Sequence, residues 1–292
     1  MTATAVSVDA QAKLNLRLCV LARESTGYHQ LESLFVRIDL ADTVRISTDT
    51  ATRSLECVGL DVPMEQNLAY RAAEAFLEAA GWQTGFHIAI EKRIPAGGGL
   101  GGGSADAGAV LRGLNQLAPT PLSPSALMTV ALRLGADVPF LTADATLALA
   151  WGRGERLLPL RPLPAREVLL ALPPFGVNTA AAFGWYAEAT AAAAITAPAP
   201  LSLDGLERWD AVAKLAQNDL EPVVFARHPE IAQCVALLGG AGARIAQMSG
   251  SGSTAFGIFD RRLMAEPGGF PEGTRLMQTR TSTSVAAVKA LD

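Results

Sequence analysis

Pro95-Ala96-Gly97-Gly98-Gly99-Leu100-Gly101-Gly102-Gly103-Ser104-Ala105-Asp106 is the densest signal in the chain, with glycine at six of the seven positions from 97 to 103. Glycine loses more backbone entropy on folding than any other residue, so such a run needs a reason. Without Cβ atoms the backbone curls until successive N–H groups converge on one point. Directly after it, Ala107, Val110, Leu111, Leu114 and Leu117 fall at helical spacing. The start of that helix adds free N–H groups and the positive end of its dipole. Loop and helix together make an anion site suited to a polyphosphate. Ser104 and Asp106 are expected in the first helical turn, where both residue types are favoured.

The run excludes several phosphate-loop classes. A Walker A loop ends in Gly-Lys-Ser/Thr, and no lysine stands in or just after this run. A dinucleotide fingerprint can be drawn through Gly97, Gly99 and Gly102, but it needs an acid about 20 residues on for the ribose. No Asp or Glu occurs between Asp106 and Asp137. A protein-kinase loop is followed by a lysine-bearing strand, not a helix. A solvated linker would carry serine and charge rather than abut an amphipathic helix.

Outward from the loop, Phe86, Ile88 and Ile90 alternate with His87, Ala89 and Glu91, which predicts a strand. Leu14, Leu16 and Leu18 alternate in the same way, and Gly27-Tyr28-His29 interrupts the pattern before it resumes from Leu31 to Leu40. Helices are predicted over 67–80 (stopped by Gly81), 125–134 (stopped by Gly135), 180–194, 215–227 and 229–238. Further strands are predicted at 168–172, 245–248 and 256–259, the last two around a second glycine turn. Strands and helices mix without a regular βαβα rhythm, which gives an α+β class. The Pro-rich stretch 159–164 suggests a boundary between an N-terminal domain, 1–159, and a C-terminal domain, 160–292.

The bulk composition narrows the partners. The chain has 292 residues, is 50% hydrophobic and 18% charged, and carries a formal net charge of −4. That content buries a sizeable core. No Lys/Arg block offers a face to nucleic acid or an anionic membrane, so neither is expected as a partner. Cys19, Cys57 and Cys234 are odd in number and form no C-x-x-C pair, as expected in a reducing cytoplasm. Residues 1–10 lack the pattern of a signal peptide, and no run of 18 apolar residues could span a bilayer. A cytoplasmic protein, monomer or weak homodimer, acting on a small molecule is the expectation.

Pro95 to Ser104 resembles the phosphate loop of the GHMP kinases, the superfamily of homoserine, galactose, mevalonate and phosphomevalonate kinases. Other segments are similar to one branch of it, the diphosphocytidyl-methylerythritol kinases. These are Ala12-Lys13-Leu14-Asn15-Leu16, Gly27-Tyr28-His29-Gln30-Leu31, Gly135-Ala136-Asp137-Val138-Pro139-Phe140, Gly152-Arg153-Gly154-Glu155, Asn218-Asp219-Leu220-Glu221-Pro222 and Met248-Ser249-Gly250-Ser251-Gly252. They stand in family order from residue 12 to about 259. The chain departs from the pattern at Ser104-Ala105-Asp106-Ala107-Gly108, where the family has Ser-Ser-Asp-Ala-Ala. It also departs at Ser253 and at Arg23-Glu24-Ser25-Thr26.

The resemblance implies a two-domain GHMP kinase fold, with a ribosomal-protein-S5-like N-terminal domain and a ferredoxin-like C-terminal domain. It implies ATP with Mg²⁺, whose protein ligands it leaves unassigned. By the same resemblance, the loop from Pro95 through Ala96, Gly97, Gly98, Gly99, Leu100, Gly101, Gly102, Gly103 and Ser104 to Ala105 holds the nucleotide phosphates. Asn67 lies near adenine, or caps its helix, or both. Asp137 is the implied general base, and Lys13 stabilises charge on the transferred group. Asn15, Tyr28, His29, Phe35, Thr179 and Phe183 are the implied substrate residues. Tyr28 stacks on cytosine, and His29 bonds its edge. The substrate that the resemblance implies is a cytidine-diphosphate methylerythritol. Two other readings stay open: a GHMP kinase for another small alcohol, and a catalytically inactive binding protein of the same fold. His87 and His228 receive no role.

Overall fold

The computed structural model describes residues 4–23, 29–152, 154, 156–190, 201–264 and 267–291. Its first part runs β1 (Ala5–Arg23), β2 (His29–Ser47), β3 (Arg53–Val58), α1 (Leu68–Ala80), β4 (Phe86–Glu91), α2 (Gly102–Leu117), α3 (Pro124–Leu134), α4 (Val138–Thr142), β5 (Leu147–Gly152) and β6 (Arg156–Pro159). Then follow β7 (Glu167–Leu172), α5 (Thr179–Thr190), α6 (Trp209–Leu215), β8 (Gln217–Asn218), α7 (Glu221–Phe225), α8 (Pro229–Gly240), β9 (Ile245–Met248), β10 (Ala255–Phe259), β11 (Arg275–Arg280) and β12 (Lys289–Leu291).

Two sheets organise these elements. In the first, the order β12-β1-β2-β4-β3 is extended by β5 on β2, β6 on β5 and β8 on β1. Val6, Val8, Ala10, Ala12, Leu14 and Leu16 form one fully buried face of β1 and pack into the core with residues of α1 and α2. This is the period of two that a strand requires. The opposite face is polar and is buried as well: Gln11, Lys13, Asn15 and Arg17 are all nearly inaccessible. The second half of the chain covers it. Gln247 Nε2 donates to the Asn15 carbonyl at 2.8 Å, and Arg17 donates to the Leu215 carbonyl at 2.9 Å. A strand buried on both faces, one of them polar, is where chemistry gathers.

The second sheet has the antiparallel order β11-β7-β10-β9. In chain order this is 4-1-3-2, the ferredoxin-like arrangement, with α8 packed on β9 and β10. The connection from β10 to β11 holds no helix among the described residues. The first sheet takes strands up to Pro159, and the second begins at Glu167, yet β8 and β12 return to β1.

Caps end the helices where the composition predicts. Asn67 accepts the Ala69 N–H at the start of α1, and Gly81, with φ of 60°, closes it. The predicted helix over 215–227 is broken. Gln217 and Asn218 pair in parallel with Arg17 and Leu18, so sheet pairing overrides apolar helical spacing there. Of the predicted helix 180–194, residues 179–190 form α5; 191–200 lie outside the described residues. Asp106 is not in the first turn of α2, which opens at Gly102; it is buried one turn further in. No helix among the described residues is long and apolar enough to cross a membrane.

Candidate active site

β4 delivers the chain to Pro95, and α2 takes it away from Gly101, whose φ of 72° makes the left-handed corner at the helix start. Between them the glycine loop lines a cleft of ≈ 120 Å³, bordered also by Leu60, Lys92 and Ile94. Three hydrogen bonds hold the loop. Lys13 N–H donates to the Leu100 carbonyl at 3.0 Å, Thr254 N–H to the Gly98 carbonyl at 3.2 Å, and Ser249 Oγ to the Gly99 carbonyl at 2.9 Å. A Cβ at Gly99 would fall 2.1 Å from the Ser249 carbonyl oxygen, which only glycine avoids.

The Lys13 contact has a local cause. The β1–β2 register shifts between Gln11 and Lys13, and again between Asn15 and Arg17. Such irregularities re-aim strand groups next to sites. Here Lys13 N–H turns to the loop. Its side chain crosses the Phe35 ring, with Nζ 5.6 Å from the centroid. Nζ then donates to Asn15 Oδ1 at 2.6 Å and stands 3.4 Å from Asp137 Oδ2. Asn15 Nδ2 donates to Ser33 Oγ at 2.7 Å, which fixes the amide. Asp137 occupies the cap position of α4, but its carboxylate makes no capping bond. It faces the lysine instead. At the other end of α4, buried Arg37 donates to the carbonyls of Phe140, Ala143 and Ala145 at 2.9, 3.0 and 2.9 Å. That satisfies carbonyls at the C-terminal end of the helix.

Under the loop lies a charge cluster that sequence reasoning missed. Lys92 Nζ donates to Asp42 Oδ2 at 2.5 Å and to Asp106 Oδ2 at 2.6 Å, all three side chains nearly inaccessible. Asp42 Oδ1 also accepts the N–H groups of Arg93 and Ile94, at the entry to the loop. One cation thus ties the entry of the loop to the helix that leaves it. Burial pushes the Asp106 carboxyl up to about 7, against the pull of Lys92. Burial draws Lys92 down, but the two carboxylates outweigh it and hold its pKa above the ordinary value. The signal available in the sequence was Lys92, three residues before the loop proline. Its two acidic partners are 14 and 50 residues away.

The second glycine turn, 249–254, joins β9 to β10 and lies against the first loop. Thr179, the first residue of α5, shares a hydrogen bond with Ser251 Oγ at 2.9 Å. Phe183, one helical turn later, packs against a buried cluster that includes Leu18, Ala182, Leu220 and Met248. The structure therefore brings Lys13, Asn15, Asp137, the glycine loop and Thr179 into one neighbourhood through the second turn. Phe35 is placed differently from a wall residue. It is buried, stacked on Phe140 with centroids 5.1 Å apart, and serves as the floor under Lys13. Asn67 is the cap of α1. Tyr28 lies outside the described residues, as does the His29 side chain, along with Arg153 and Glu155. His87 Nδ1 pairs with Ser54 Oγ at 2.9 Å, and His228 stacks on Phe175.

This geometry has counterparts. The family model described as GHMP kinases N terminal domain matches residues 67–144, and GHMP kinases C terminal matches 202–266. The chain is 43% identical over 255 residues to a 4-diphosphocytidyl-2-C-methyl-D-erythritol kinase of Geobacter sp. (strain M21), covering 86% of this chain and 88% of that protein. It is 42% identical over 257 residues to the protein of that name from Pelotomaculum thermopropionicum, covering 87% and 88%. A crystal structure of 4-(cytidine 5'-diphospho)-2C-methyl-D-erythritol kinase has a TM-score of 0.75 at 33% identity, covering 94% of this chain and 98% of that one. A homoserine kinase from Cytophaga hutchinsonii shares the fold at a TM-score of 0.65 and 16% identity, covering 98% and 97%. With both family models matched in order and relatives this similar over most of its length, the chain belongs to the GHMP kinase family.

Proposed function

We propose that this protein transfers the terminal phosphoryl group of ATP to the 2-hydroxyl of 4-diphosphocytidyl-2-C-methyl-D-erythritol, in the non-mevalonate route to isoprenoid precursors. The observation that carries the reaction class is the Lys13–Asp137 pair, 3.4 Å apart beside the glycine loop. Likeness to relatives that bear the substrate in their names supports the choice of alcohol.

Phosphoryl transfer needs positioning and charge stabilisation more than covalent help. The loop N–H groups and the start of α2 hold the phosphates. Asp137 is the acid with open access, and it orients the attacking hydroxyl and receives its proton. Lys13, pinned by Asn15, sets a fixed positive charge where negative charge grows in the transition state. Thr179 and Phe183, with Tyr28 and His29, hold the cytidine end of the substrate.

Mg²⁺ fits this site through oxygen. Among the described residues no three His, Cys, Asp or Glu side chains gather into a protein cage. Ser104 would hold the ion through its hydroxyl, an oxygen donor of the kind Mg²⁺ takes together with phosphates. When bound, the ion neutralises charge on the phosphates.

The test is ADP release by purified protein with Mg²⁺, ATP and the cytidyl alcohol, with homoserine and mevalonate in parallel. Turnover of the cytidyl alcohol alone is the expected result. Turnover of a different alcohol moves the protein elsewhere in its family. Turnover of none favours a binding role.

A further inference from the structure

Asn218, Asp219 and Glu221 hydrogen-bond through their side chains to backbone groups of β9, of the second glycine turn and of β1. Asn218 is buried, and both hydrogens of its amide are donated. Nδ2 donates to the Met248 carbonyl at 2.9 Å and to the Gly250 carbonyl at 2.8 Å, while Oδ1 accepts the Leu220 N–H at 3.0 Å. An amide nitrogen has two hydrogens, so nothing is left over. Glu221 Oε1 accepts the Met248 N–H at 2.7 Å. Both backbone groups of Met248 are thus held by side chains from this one segment.

The same segment is fixed to β1. Gln217 and Asn218 pair with Arg17 and Leu18. Asp219 N–H donates to the Leu18 carbonyl at 3.0 Å, and Val20 N–H donates to Asp219 Oδ2 at 2.8 Å. It therefore spans from the strand that bears Lys13 and Asn15 to the turn that holds the phosphate loop. At the turn, a Cβ on Gly250 would lie 3.5 Å from Lys13 Nζ and 3.4 Å from Asn15 Oδ1. Small movements of the turn are movements of the lysine's wall.

We propose that Asn218 and Glu221 are positioning residues for phosphoryl transfer, forming a bracket that fixes the second glycine turn against both the phosphate loop and the Lys13–Asp137 pair. The proposal rests on the kinase reading above. Misplacing reacting groups by about 1 Å costs on the order of a hundredfold in rate. A residue that served only general stability would lower the melting temperature and leave the rate per folded molecule unchanged.

Asn218→Asp keeps the shape and replaces two donors with an oxygen facing two carbonyl oxygens. The expected result is a kcat lower by about a hundredfold in folded protein, a raised KM for ATP, and faster amide hydrogen exchange at 97–101 and 248–254. Glu221→Ala is expected to act in the same direction. Glu221→Gln, whose amide oxygen still accepts the Met248 N–H, is expected to stay near wild type. A folded Asn218→Asp chain with wild-type kcat and ATP KM overturns the bracket. So does Glu221→Gln as damaged as Glu221→Ala. If Asn218→Asp fails to fold, the two Glu221 variants decide. If wild type turns over no alcohol, the kinase reading fails. Hydrogen exchange in the variants then decides the bracket: unchanged exchange overturns it.

Discussion

Lys13 and Asp137 face each other across 3.4 Å with unequal access to solvent, the lysine side chain 4% exposed and the aspartate 31%. The cation is locked by Asn15 and the Phe35 ring, while the acid is open to an incoming group. A fixed charge beside a reachable carboxylate suits the roles proposed for the two residues in phosphoryl transfer.

Asp137→Asn keeps the size and removes the proton acceptor. It is expected to lower kcat by about 10²–10⁴-fold while changing the KM for ATP little. Steady-state kinetics check this. An equal loss in nucleotide affinity would move Asp137 from base to binding residue.

Lys92→Met leaves the Asp42 and Asp106 carboxylates buried together without their cation. Breaking a buried pair in this way costs roughly 3–5 kcal/mol. Urea melts are expected to show that loss, and adding Asp106→Asn is expected to recover part of it. Full stability in the single variant would mean the cluster does not tie the loop ends.

Gly99→Ala puts a methyl group into the Ser249 carbonyl, at a φ of 76°. The expected effect is a rise of at least about tenfold in nucleotide dissociation constant, since a left-handed alanine alone costs about 1–2 kcal/mol before the clash. Gly240→Ala, at the end of α8 and away from the loop, is the control, because its Cβ would meet nothing within 4 Å. Calorimetric titration with a non-hydrolysable nucleotide compares the two.

Burial pushes the Glu221 carboxyl up to about 7, although the Met248 N–H pulls the other way. The ordinary value is 4.5. The folded chain therefore keeps a proton that the unfolded chain releases. The resulting stability is full below about pH 4.5 and is lost as pH rises through about 7, on the order of 3 kcal/mol in all. Glu221→Gln is expected to remove that slope. Urea melts of both chains from pH 4.5 to 8 that run parallel would show that Glu221 does not titrate there.

Much of this site could be read from the sequence because its parts are local. The glycine run carries its signal within a few residues, and Lys13 and Asp137 stand out through two short motifs, Ala12–Leu16 and Gly135–Phe140, that resemble the family's. β4 follows from apolar alternation, β7, β9 and β10 from short apolar runs, and α5 from its alanine content. What could not be read is what depends on distant partners. Asp106 looks like a helix-start acid until Lys92 and Asp42 are seen around it. Residues 215–227 keep helical spacing, and only the pairing of Gln217–Asn218 with β1 interrupts it. β3 and β11 were missed because half-exposed strands at sheet edges alternate weakly. Asn67 carries the same sequence signature whether it caps α1 or touches a ligand.

β1 is completed by neighbours from three eras of the sequence: β2 at once, β8 some 200 residues later, and β12, whose Leu291 sits opposite Ala5. During synthesis the lysine-bearing strand leaves the ribosome long before two of its partners exist. Its outer edge is an open template until they arrive, the condition in which strands pair with the wrong chain. Contacts so far apart in sequence also slow the search for the native arrangement. The consequence is one of timing: the strand that bears Lys13 is among the first parts to be made and among the last to be finished.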